Sequence, residues 1–163
     1  MKIRISDIID DSIVDGKGIR FTIFTQGCFH NCKECHNPST HDINGGREGD
    51  TKKICELIKQ NPLLDGITLS GGEPFLQVEP CIELAKTAHE IGLDVWAYTG
   101  FTYEDLLLDN NKKLLLENVD VLVDGKFDLN KKSLELDFRG SSNQRIIDVK
   151  KSLKSDIAVE YIV

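Results

Sequence analysis

The sequence predicts an α/β protein, one domain over residues 1–163, folded as a partial (β/α) barrel around a mainly parallel sheet. Strand-like and helix-like segments alternate along the chain, which implies parallel strands joined by right-handed crossovers. A chain of 163 residues holds one ordinary domain and too few βα units to close a full barrel. With 40% hydrophobic and 29% charged residues, the composition is that of a globular protein.

Each element rests on a local signal. IRFTIFTQ (19–26) is rich in β-branched and aromatic residues and reads as the first strand. DTKKICELIKQN follows, with Ile54, Leu57 and Ile58 at helical spacing and Asp50 or Thr51 as its cap. GITLSGG (66–72) is the second strand, stopped by paired glycines. In PCIELAKTAHEIG, Pro80 suits a first helical turn and Gly92 a left-handed stop. DVWAYTG (94–100) is the third strand, and Thr102 with Asp105 resembles a capping box opening the next helix. Asn110 and Asn111 break that helical segment in two. VDVLVDG (119–125) is the fourth strand, and RIIDV and AVEYIV are weaker strand candidates.

The net charge of −7 argues against a general nucleic-acid binder, because phosphate contacts need a basic surface. Asp7, Asp10 and Asp11 interrupt the N-terminal segment, so it does not read as a signal peptide. No apolar run reaches the roughly 20 residues that cross a bilayer. Three of the five cysteines crowd into Cys28, Cys32 and Cys35, too close for a disulfide framework; such clusters belong in a reducing cytoplasm and bind metal or do redox work. Cys55 and Cys81 lie on helical patterns and read as small buried thiols, Trp96 as core, and His89 as a helix-surface residue.

A parallel sheet carries its chemistry at the carboxyl ends of its strands. The C-x3-C-x2-C run follows the first strand, GGEP the second, TGF the third and DGKF the fourth. Thiolates select zinc, copper(I) or iron–sulfur clusters. A closed tetrahedral zinc site needs a fourth ligand, and His30, His36 and His41 are near enough to supply one, as in a zinc-binding interaction module. In an iron–sulfur cubane, three cysteines would instead leave one iron open to a small molecule. GGEP taken alone is a glycine-rich turn, and Asp124 with Lys126 brackets an Asp-Gly turn. FRGSSNQR (138–145) is a polar run between apolar segments, and DSIVDGKGIRF (11–21) is a glycine-bracketed turn feeding the first strand.

The triplet after the first strand resembles the radical S-adenosylmethionine superfamily. The set D-G-x-G-x-R-x-T-x-F-x-Q-G-C, LSGGEP, VLVDGKF and RGSSNQ, in this order from about Asp11 to Arg145, resembles the family that activates anaerobic ribonucleoside-triphosphate reductases. The resemblance implies one [4Fe-4S] cluster held by Cys28, Cys32 and Cys35, and S-adenosylmethionine bound by Glu34, Cys35, His36, Gly71, Gly72, Glu73, Asp124 and Lys126. In that reading Lys126 pairs with the methionine carboxylate and Asp124 accepts from ribose hydroxyls. It further implies an electron from a flavodoxin or ferredoxin-type donor, and hydrogen abstraction that leaves a glycyl radical on the large reductase subunit. A pyruvate formate-lyase activating enzyme is the alternative within the superfamily. The chain departs from the superfamily pattern at Glu34 and His36, where aromatic residues often flank the last cysteine, and at Lys17, where proline is common.

Overall fold

The computed structural model describes residues 1–28, 30 and 41–162. Cys32, Glu34, Cys35 and His36 lie outside the described residues.

Seven strands form one sheet in the order β3-β1-β2-β4-β5-β6-β7, with β1 at Lys2–Ser12, β2 at Arg20–Thr25, β3 at Arg47–Asp50, β4 at Gly66–Gly71, β5 at Asp94–Tyr98, β6 at Val121–Asp124 and β7 at Arg145–Asp148. The four strands read from the sequence, β2, β4, β5 and β6, are mutually parallel. The expected mainly parallel sheet needs correction at both margins: β1 runs antiparallel to β2 and β3, and β7 antiparallel to β6. The result is a mixed sheet, parallel in the middle and open, ending at β3 and β7.

Two of the unread strands have plain physical origins. Only Ile3, Ile5 and Ser12 of β1 are buried, so its apolar signal is thin, and β3 (REGD) carries no apolar side chain at all. β3 exists because it pairs with Lys2–Ile5, a tertiary contact that overrides propensity. Of the two weak C-terminal candidates, RIID forms β7, whereas the last segment makes only an isolated bridge between Glu160 and Ile147.

The helices are α1 (Thr51–Gln60), α2 (Val78–Glu90), α3 (Tyr103–Leu108), α4 (Asn110–Leu116) and α5 (Val149–Ser155). Their starts follow the capping chemistry of their sequences. The side chain of Asp50 accepts from the Lys52 amide at 3.0 Å, and that of Thr102 from the Asp105 amide at 3.1 Å. The α3–α4 break is made by Asp109, whose side chain accepts from the amides of Asn111 and Lys112 and starts a new helix. No helix is long and apolar enough to cross a membrane among the described residues.

Strand alternation sorts the side chains onto two unlike faces. Phe21, Ile23, Ile67, Leu69, Val95, Ala97 and Leu122 join the apolar core with residues of α1, α2, α3 and α4, such as Ile58, Leu84, Leu106 and Leu115. Burying each large side chain contributes roughly 1.5–3 kcal/mol, so this face holds the fold together. The intervening residues include Arg20, Thr22, Thr68, Ser70, Trp96 and Tyr98. Trp96 packs there with Val121, Val123, Ile146, Phe138 and Tyr161. This second face is polar toward β2 and β4, and it carries the functional cavity.

Candidate functional site at the carboxyl ends of the parallel strands

A cavity of about 580 Å³ opens on the second face. Cys28 and His30 after β2, Gly71 and Gly72 at the end of β4, Thr99 and Gly100 after β5, and Gly125 and Phe127 after β6 all line it. The four loops marked in the sequence therefore converge on one space. β1 adds Ile9, and the 136–144 segment closes the far wall with Leu136, Phe138, Arg139, Gly140 and Gln144.

The loops are fixed to one another by Glu73, whose side chain is only 1% exposed. Its Oε1 accepts from Thr99 Oγ1 at 2.8 Å, from the Gly100 amide at 2.8 Å, and lies 2.7 Å from His30 Nε2. Its Oε2 accepts from the Phe75 amide at 3.0 Å, and its own amide donates to Gly27 O at 2.8 Å. A buried carboxylate is stable only when its lone pairs are spent in this way. Glu73 thus joins the cysteine-bearing loop, the GGEP turn and the β5 loop. The His30 ring also packs edge-on against Phe101, with centroids 4.5 Å apart.

Gly71 has φ +98, and a Cβ there would stand 2.5 Å from Thr25 N. Only glycine fits this left-handed position against the neighbouring backbone. The turn therefore presents bare main chain to the cavity, the property expected of a glycine pair that receives a ligand.

Other sequence-selected residues are placed differently. Asp124 is 1% exposed and does not line the cavity. Its Oδ1 accepts from Arg145 Nε at 3.0 Å, and its Oδ2 from the Tyr103 amide at 2.8 Å and from Arg145 Nη2. The carboxylates of Asp124 and, secondly, Glu104 favour the charged form of Arg145 and raise its pKa. Lys126 is exposed and borders a separate depression with Asp128 and Asn143. Ordinary turn chemistry thus accounts for both side chains of the DGK loop.

Several residues at the cavity carried no individual role in the sequence reading. His30 was visible only as a possible zinc ligand, and its Nε2 is committed to Glu73. Thr99 and Gly100 belong to a TGF loop singled out by position alone. His41 lines the cavity with a buried Nε2 that has no hydrogen-bond partner, and Arg139 does so with a buried, unpartnered Nε. Tyr98 lines it too, and burial, then the nearby charge of Asp15, raises its phenol pKa, keeping it protonated. Cys81 and Cys55 are core thiols; burial is the main cause that lifts the Cys81 pKa, to about 12. Trp96 is fully buried, and His89 pairs with Asp120 at the surface of α2.

Comparison with known proteins places this geometry. A family model described as a 4Fe-4S single cluster domain matches residues 14–147. The chain is 37% identical over 143 residues to the anaerobic ribonucleoside-triphosphate reductase-activating protein of Vibrio cholerae, covering 82% of this chain and 90% of the relative. The protein of the same description from Escherichia coli K12 is 36% identical over 81% of this chain and 90% of its own, and that from Enterobacteria phage T4 is 33% identical over 82% and 86%. Among solved structures, QueE from Escherichia coli aligns with a TM-score of 0.50 at 16% identity, covering 63% of this chain and 54% of its own, a likeness of fold. The match spans both the cysteine-bearing loop and the 138–145 run, so it covers the whole cavity. The chain belongs to the family of anaerobic ribonucleoside-triphosphate reductase-activating proteins, built on a 4Fe-4S single cluster domain.

Proposed function

We propose that this chain is an activating enzyme that uses a [4Fe-4S] cluster and S-adenosylmethionine to install a glycyl radical on an anaerobic ribonucleoside-triphosphate reductase. The observation that carries the reading is the convergence of Cys28, Gly71 and Gly72 on one cavity in a chain whose relatives bear that name. The donor set fits the cofactors. A thiol lines the cavity, soft sulfur suits iron–sulfur chemistry, and the wall holds buried, unspent polar atoms on His41 and Arg139.

Cys28, Cys32 and Cys35 would hold the cluster, leaving one iron without a protein ligand. Gly71 and Gly72 would receive the methionine amino group through main chain, and residues Glu34, Cys35 and His36 would meet the adenine. The geometry supports a revised part for two residues: Glu73 positions the loops through His30, Thr99 and Gly100, and Asp124 braces the wall through Arg145. Lys126, exposed outside the cavity, is not needed as a ligand. When bound, the cluster and S-adenosylmethionine supply one-electron cleavage of the sulfonium and the hydrogen abstraction that leaves the glycyl radical. The chain's own task is to bind, orient and exclude water, and no general acid or base is required. An apolar wall of Ile9, Phe24, Leu136 and Phe138 suits the last of these tasks. The one-faced helix layer supports reading the sheet as part of a (β/α) barrel. A flavodoxin or ferredoxin-type protein would deliver the electron in the reducing cytoplasm.

The relatives' descriptions favour the reductase over pyruvate formate-lyase as partner. The engagement of His30 Nε2 by Glu73 speaks against a closed zinc site completed through that atom. The test is to reconstitute the chain anaerobically with iron and sulfide, add S-adenosylmethionine and a reductant, and mix it with purified anaerobic reductase. A glycyl signal in electron paramagnetic resonance is expected on the reductase. A colourless zinc protein giving no signal would overturn the reading.

A further inference from the structure

The polar run at 138–145 repays sorting residue by residue, because most of it is spent on construction. Ser141 Oγ accepts from the Asp128 amide at 3.1 Å, and Asn143 Nδ2 donates to Lys126 O at 2.8 Å. Gln144 Oε1 accepts from the amides of Gly140 and Ser141, and its Nε2 donates to Gly125 O at 3.0 Å. Arg145 is committed to Asp124 and Glu104. These side chains bind the run to the loop after β6 and leave little freedom in the cavity wall.

Arg139 is the exception. Its Nη1 donates to Gln144 O at 2.7 Å, but its Nε is buried and has no partner. It is the only lysine or arginine among the described residues lining the cavity. Beside it, Phe138 adopts φ 60, a left-handed conformation rare for a bulky residue. Its ring is locked edge-on against Trp96 at 5.3 Å. Backbone strain of this kind persists where the surroundings over-determine it, and it clusters at ligand sites. A cation held in an apolar wall with an N–H unspent is half of a charge-assisted hydrogen bond.

We propose that Arg139 is the carboxylate-recognising group of this cavity, holding the aminoacyl carboxylate of S-adenosylmethionine. The assignment rests on the cofactor reading above and transfers to Arg139 the part that the sequence suggested for Lys126. Its selectivity follows from chemistry: a ligand without a carboxylate gains nothing from the guanidinium.

The test uses the anaerobically reconstituted holoprotein and equilibrium dialysis against S-adenosylmethionine and its decarboxylated analogue. Arg139→Gln is expected to weaken binding of S-adenosylmethionine by roughly 10- to 100-fold and to leave the analogue within about twofold of wild type. Arg139→Lys, which keeps the charge without the planar fork, should fall between, and Lys126→Gln should change neither affinity. Should the glutamine variant fail to fold, the lysine variant carries the test, with a loss confined to the carboxylate ligand supporting the assignment. Unchanged affinity for S-adenosylmethionine, or equal loss of both ligands, overturns it. A wild-type holoprotein that binds neither ligand would instead overturn the cofactor reading itself.

Discussion

Arg20 and Arg139 flank the same tryptophan and have opposite fates. Arg20, at the amino end of β2, is completely buried with its guanidinium 5.4 Å over the Trp96 ring. All three of its nitrogens are satisfied: Nε donates to Thr68 Oγ1, Nη1 to Lys17 O, and Nη2 to Ile67 O and the Asp94 carboxylate. Arg139, reached through Phe138 on the other side of Trp96, keeps an Nε with nothing to bind. The amino ends of the parallel strands are thus closed by a saturated cation, and the carboxyl ends are lined by an unsaturated one. A buried donor that is fully paired stabilises the fold; one left unpaired costs free energy until a ligand arrives. The difference separates the floor of the site from its working surface.

Substitutions at the two ends should therefore fail in different ways. The largest effect is expected at Cys28. Cys28→Ala should abolish retention of iron after anaerobic reconstitution, from about four irons per chain toward none, with little change in the melting temperature of the apoprotein. Iron analysis beside calorimetry checks both halves. Arg20→Leu should do the reverse, lowering stability by about 3–5 kcal/mol, because Thr68 and two carbonyls lose their donor. Denaturant unfolding of the apoprotein measures this, and a loss below about 1 kcal/mol would break the contrast.

Two glycines sharpen it. Gly71→Ala meets both a left-handed φ and the Thr25 backbone, and should cost roughly 3 kcal/mol. Gly92→Ala, after α2, has φ +80 but nothing within 4 Å of the added carbon, and should cost only about 1–2 kcal/mol. Only the Gly71 change should also weaken S-adenosylmethionine binding. Smaller and mixed is Glu73→Gln. It puts an amide among the three donors that converge on Oε1, costing about 2 kcal/mol while loosening the loop that carries Cys28. Thermal unfolding and the reconstituted iron content should fall together, and rescue by added ligand alone would count against a positioning role.

How far the sequence reached depends on what each signal records. β2, β4, β5 and β6 were legible because central parallel strands are buried on both faces and read as dense apolar runs. β1 and β3 were not, since a strand with charged edges gains its stability from pairing, which a single sequence does not display. At the site, Cys28, Gly71 and Gly72 were legible because their chemistry is written in residue type and spacing. The roles of Asp124 and Lys126 were misleading for the opposite reason: where a loop side chain points depends on distant partners, and Arg145, 21 positions away, takes Asp124 out of the cavity. Arg139 was visible only as part of a polar run. Its unpaired Nε becomes apparent once Ser141, Asn143, Gln144 and Arg145 are all seen to be occupied.

The most direct test is the electron paramagnetic resonance spectrum of the reduced, reconstituted holoprotein before and after S-adenosylmethionine is added. A cluster lacking one protein ligand predicts that the signal changes shape on addition, as the nucleoside's amino acid occupies the vacant iron. A spectrum identical with and without S-adenosylmethionine would contradict the account.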